Sequence, residues 1–102
     1  MKGFGDMHKM LKQAQEMQAR LQKEMAELRV EGSSGGGMVA VTVDGHKNVI
    51  SLKLDPEVVS RDDIDMLQDL IVAAVTDAQR AARELAETKM AAVTGGLKLP
   101  GM

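Results

Sequence analysis

Seven basic residues carry the chemistry this sequence offers most plainly. Lys9, Lys12, Arg20 and Lys23 fall in one stretch free of Gly and Pro, and Arg80, Arg83 and Lys89 in another. Lys9 and Arg20 are eleven residues apart, close to three helical turns, so they share a face; Lys12 and Lys23, with the same spacing, share the neighbouring one. Arg80 and Arg83 share a face of a second helix. Charges placed this way suit a polyanion such as duplex DNA, where each Lys or Arg contacts a phosphate and positions the protein without reading bases. The competing reading is a solvated face laced with helix ion pairs: Lys12–Glu16, Glu16–Arg20, Arg20–Glu24 and Arg80–Glu84. Spacing alone does not choose between them. Gln13, Gln15, Gln18 and Gln22 suit base edges and an exposed helix equally well.

Other constellations lead less far. Gly32–Gly37 begins like a phosphate loop, but Met38 and Val39 stand where such a loop needs Lys and Ser or Thr. A backbone bulge or turn is the better reading, with Gly supplying positive φ or close approach. Asp62, Asp63, Asp65 and Asp69 lack the spacing, sharp Gly and closing Glu of a calcium loop. Acids in a first helical turn instead complement the macrodipole. His8 and His46 have no cysteine partners, and no Ser–His–acid set follows from the spacing. The sequence therefore offers no catalytic residue, no metal ligand set and no cofactor or small-molecule substrate site.

Composition narrows the classes further. The chain has 102 residues, a net charge of -2 and no cysteine. A single domain is expected, with no disulfide framework. No signal peptide or membrane span is legible, so a cytoplasmic location and no membrane partner are expected. The charge is uneven: residues 1–53 carry +2 and residues 54–102 carry -4. Any polyanion site must then be a local patch that is favoured at low salt. Phe4 is the only aromatic residue, so stacking of single-stranded bases on aromatic platforms is essentially closed. Nine methionines supply adaptable apolar bulk in its place.

The elements that must hold these residues follow from periodicity. A first helix is expected over about 6–28, capped by Asp6. Met7, Ala14, Leu21 and Leu28 repeat every seven residues, with Met10 and Met17 offset by three, a coiled-coil-like seam. Residues 29–54 read as antiparallel strands. Arg29–Glu31 make a short first strand and Gly32–Gly37 a turn. Val39, Val41 and Val43 then share one face, Asp44-Gly45 marks a hairpin, and Ile50, Leu52 and Leu54 point inward. Asp55-Pro56 stops the last strand. Ser60 with Asp63 resembles a capping box, and a second helix runs over about 60–94, closed by Gly95-Gly96. Residues 95–102 read as a flexible tail.

The second helix is too long for its domain. About 50 Å of helix must project from a body whose radius of gyration should be near 13 Å. Its stripes, Ile64, Ile71, Ala78, Leu85, Ala92 and Leu67, Ala74, Ala81, Thr88, require cover. An α+β homodimer is expected, with Ile64, Leu67, Leu70, Ile71, Ala74, Val75 and Ala78 at its interface.

Several segments add a resemblance. Residues 10–18 (MLKQAQEMQ), 35–45 (GGGMVAVTVDG), 54–56 (LDP), 67–74 (LQDLIVAA), Asp77-Ala78 and the ending at 94–101 (TGGLKLPG) are similar, in order and over nearly the whole chain, to the YbaB/EbfC family of nucleoid-associated proteins. The resemblance implies an α-β-β-β-α protomer and an intertwined, tweezer-like homodimer with projecting helices. It also implies duplex DNA binding in the nucleoid, with effects on gene expression and no enzymatic activity. The family's DNA-contacting helical regions map approximately onto Lys9, Lys12, Arg20, Lys23, Arg80, Arg83 and Lys89. A different class of function, a scaffold that grips partner helices through Met10, Met17 and Met90, fits the same projecting helices.

Overall fold

The computed structural model describes residues 2–93, in the order α1 (Lys2–Glu27), β1 (Val30–Ser34), β2 (Val39–Val43), β3 (Val49–Leu54) and α2 (Ile64–Val93). The expected α-β-β-β-α order is present. A short 3-10 turn, Gly35–Gly37, joins β1 to β2, and two more, Pro56–Val58 and Arg61–Asp63, lead into α2. The expected tail and the helix stop at Gly95-Gly96 lie outside the described residues.

The strands form one antiparallel sheet in the order β1-β2-β3. Val39, Val41 and Val43 alternate inward and are fully buried, each contributing on the order of 1.5–3 kcal/mol by leaving water. Ala74, Ala78 and Ala82, one turn apart on α2, lie against them. Gly32 explains why the helix comes so close. A Cβ there would overlap the backbone N and Cα of Ala78, so only glycine admits α2 onto β1. Gly32 therefore belongs to the strand, not to the turn expected over 32–37. The turn proper is Gly35–Gly37, all three with positive φ. Polar links complete the contact. Ser34 Oγ donates to the Leu70 carbonyl at 2.5 Å and the Ser33 amide donates to Asp77 Oδ2 at 3.1 Å.

α2 packs chiefly on β1 and β2 and leaves β3 largely uncovered. In the β2–β3 register Leu54 lies opposite Val39 and Leu52 opposite Val41. Directly opposed residues share a face, so Leu52 and Leu54 point to the α2 side as expected. They are nevertheless 44% and 36% exposed, because the helix passes to one side. The shift between Thr42 and Val43 inserts one extra residue into β3, a bulge.

Both helices depart from their expected starts. α1 begins at Lys2, so Asp6 lies inside the helix and caps nothing; Gly3 and Gly5 are carried within it. Ser60 Oγ accepts from the Asp62 amide at 3.3 Å and caps the 3-10 turn before α2 instead of closing a reciprocal box with Asp63. α2 is unbroken for 30 residues, about 45 Å. The molecule measures 75 × 28 × 16 Å with a radius of gyration of 20.2 Å, far beyond the compact expectation for its length.

Candidate nucleic-acid interface

α1 stands out from the sheet and is held at its C-terminal end. The Gly45 amide donates to the Met25 carbonyl at 2.8 Å, and His46 Nε2 lies 3.4 Å from the Gln22 carbonyl oxygen. Arg29 Nη1 donates to the carbonyls of Ala26 and Leu28 at 3.0 and 2.8 Å, satisfying acceptors that a helix end leaves open. Leu21, Met25 and Leu28 are half-buried, while every residue from Gly3 to Arg20 is exposed. Of the heptad seam read from the sequence, only the end nearest the sheet is covered within the protomer. Phe4, Met7, Met10, Leu11 and Met17 remain open.

Lys9, Lys12, Arg20 and Lys23 are all exposed on α1. Among the described residues none of them lies within ion-pair distance of a carboxylate. The Lys12–Glu16, Glu16–Arg20 and Arg20–Glu24 pairs that spacing allows are not formed, so these cations are uncommitted. Arg80 is the opposite case. Its Nη2 meets Asp77 Oδ1 at 2.8 Å and its Nη1 meets Glu84 Oε1 at 2.9 Å. Asp77 and then Glu84 hold the guanidinium above its usual pKa. The Arg80 bond, followed by the Ser33 amide, holds the Asp77 carboxyl below the usual carboxylate range. Arg80 is thus part of the clamp between α2 and β1.

Arg83 and Lys89 lie further along α2, where it leaves the sheet and runs beside the end of α1. Lys89 is half-buried at a small apolar hollow with Leu21, Glu24, Met25, Ala86 and Met90. Arg83 is exposed. It lines an open hollow of about 480 Å³ with His46, Lys47, Ala86, Glu87 and Met90. Sequence reasoning passed over Lys47, for nothing in its neighbours marks it; the hairpin fold alone brings it to Arg83. His8 and His46 sit on different elements. Among the described residues no group of His, Asp and Glu could hold a metal ion, and no helix is long and apolar enough to cross a membrane.

The seven residues expected at a dimer interface divide. Ala74 and Ala78 are fully buried under their own sheet, and Leu67, Leu70, Ile71 and Val75 pack against the same core. Ile64 is 45% exposed. The stripe read as needing a partner is thus covered in large part by the protomer's own strands.

Lys9, Lys12, Arg20 and Lys23 thus stand exposed on a projecting helix, unpaired among the described residues. The model of the YbaB/EbfC DNA-binding family matches residues 1–97. The chain belongs to the YbaB/EbfC DNA-binding family. Relatives named nucleoid-associated protein include one from Syntrophobacter fumaroxidans, 50% identical over 99% of this chain and 91% of its own length. Another, from Exiguobacterium sp., is 50% identical over 99% of both chains. A crystal structure of an uncharacterized Helicobacter pylori protein superposes with a TM-score of 0.75 over 90% of this chain and 97% of its own, at 22% identity. That likeness extends to the fold. The YbaB/EbfC family is a DNA-binding family.

Proposed function

We propose that the protein acts in the bacterial nucleoid, within the cytoplasm, as a homodimer that binds duplex DNA with little sequence specificity, alters its conformation and thereby affects gene expression. The observation that carries this reading is the uncommitted set Lys9, Lys12, Arg20 and Lys23 on the exposed face of α1. Such cations release counterions from the phosphate backbone, so affinity should fall steeply with salt. The acidic second half of the chain makes attraction a matter of local basic patches rather than of net charge.

The dimer in this reading is built on β3. Its outer edge is unpaired, and Leu52 and Leu54 form an apolar ledge beside α2. A second copy brought edge to edge by a two-fold axis would extend the sheet and let each α2 shelter the other's ledge. Ile64 and the remaining surface of Leu67, Leu70, Ile71 and Val75 would flank it.

Changing Lys9, Lys12, Arg20 and Lys23 together to Glu should abolish retardation of duplex DNA in a gel while leaving the dimer's mass unchanged. Retardation equal to that of the parent protein overturns the assignment of α1.

A second reading has its own support in the open stripe of Phe4, Met7, Met10, Leu11 and Met17, which suits capture of a partner helix. Ala substitution at Met10, Met17 and Met90 would then remove partner capture and spare DNA retention.

A further inference from the structure

The β2–β3 connection, Asp44–Asn48, is held more firmly than an exposed hairpin tip requires. Asp44 is almost fully buried. Its Oδ1 accepts from the amides of His46 and Asn48 at 2.8 and 3.0 Å, and its Oδ2 accepts from Asn48 Nδ2 at 3.1 Å. The Gly45 amide ties the turn to α1 through Met25. Gln79 Nε2 donates to the Lys47 carbonyl at 3.1 Å and ties it to α2. A turn fixed to two helices presents its side chains in set positions.

Lys47 is the residue that local preference does not explain. It is the only non-glycine among the described residues with positive φ, at 71°. That left-handed conformation favours Gly, Asn or Asp. Lys47 lines the same hollow as Arg83, whose guanidinium, like the Lys47 ammonium, forms no ion pair among the described residues. Glu87 is the only carboxylate on that lining, so the fixed charge there is positive. Two cationic residues from elements far apart in sequence border one concave surface, with a firmly held backbone behind one of them.

We propose that Lys47 and Arg83 form a contact point for a DNA backbone phosphate, separate from the basic face of α1. The proposal rests on the DNA-binding reading above. It gives the protein two phosphate contacts at the root of its helices in addition to those along α1, and accounts for a lysine where a glycine would sit more easily.

The test is a duplex-DNA titration by fluorescence anisotropy across a salt series, using the full chain. Lys47→Gly relieves the left-handed turn and Arg83→Gln keeps a polar side chain at an exposed position, so both should remain folded by circular dichroism. Together they should weaken binding about tenfold at low salt and reduce the slope of log affinity against log salt by about 2. Glu87→Gln should strengthen binding, a change of sign that no loss of folding produces. A double variant with the parent affinity and slope overturns the proposal while the α1 reading stands. A parent protein that binds no duplex overturns both.

Discussion

The amide of Gly45 meets the carbonyl oxygen of Met25 at 2.8 Å, joining the hairpin tip to the last turn of α1. No side chain fits between them: a Cβ on Gly45 would stand 2.5 Å from the Met25 oxygen and 3.0 Å from its Cα. Gly45→Ala must therefore push α1 away from the sheet. We expect a loss of about 1–3 kcal/mol in denaturant stability, the usual cost of overpacking. Hydrogen exchange should also rise at Gly45 and over the end of α1. An unchanged midpoint would mean that α1 is held by other contacts.

The Leu52 ledge gives a direct handle on assembly. In a two-fold dimer each substitution acts twice. Leu52→Glu should therefore weaken association by at least about 2 kcal/mol, or roughly thirtyfold in Kd. Sedimentation equilibrium should show the shift toward monomer. The protomer should still fold, because Leu52 is 44% exposed within it. A variant that stays dimeric at the parent's concentration range places the interface elsewhere.

Much of this protomer is written in its periodicities, and what is not is instructive. The alternation of Val39, Val41 and Val43 announces a buried strand, and the Gly- and Pro-free run to Val93 announces a long helix. A helical stripe shows that a face needs cover without showing what covers it. Ala74 and Ala78 looked like seam residues for a second copy, yet both are buried in the protomer's own core, and Ala78 meets Gly32, 46 positions earlier in the chain. That one contact fixes where α2 crosses the sheet, hence which strand is left bare, and local sequence carries no sign of it. Gly3 and Gly5 likewise obscure the true start of α1, because their low helix propensity reads as a boundary. At the candidate DNA surface the basic residues were legible by type and face. Their availability was not. Spacing permitted ion pairs on both helices, and among the described residues only α2 forms any.

Arg80 and Arg20 make that difference measurable. Arg20 is free of carboxylates, whereas both ends of the Arg80 guanidinium are engaged by Asp77 and Glu84. Arg20→Ala should weaken duplex binding on every sequence and lower the salt slope by about 1. Arg80→Ala should leave the slope unaltered and act on thermal stability instead, since it frees Asp77 from one side of the Ser33 link. Equal slopes for the two variants would show that the Arg80 pairs open on DNA.

Acid should loosen the hairpin through Asp44. Desolvation by itself would raise this carboxyl's pKa. The hydrogen bonds from Asn48 and His46, with the charge of His46, outweigh it and hold the group below the usual carboxylate range. A folded-state pKa lower than the unfolded one stabilises the fold above the unfolded value, and the contribution disappears as pH falls through the lowered one. Asp77 is lowered in the same sense, so acid unfolding of the parent reports both groups. Asp44→Asn separates them. The amide cannot ionise, and its NH2 would confront the Asn48 Nδ2 donor that Asp44 Oδ2 now accepts. The variant should melt below the parent at neutral pH, and the gap in Tm should narrow as pH falls below about 4, where Asp44 of the unfolded parent takes up a proton before that of the folded one. Asp77 titrates in both proteins and drops out of the difference. A Tm gap constant from neutral pH to pH ~2 would show that the Asp44 charge contributes nothing beyond its shape.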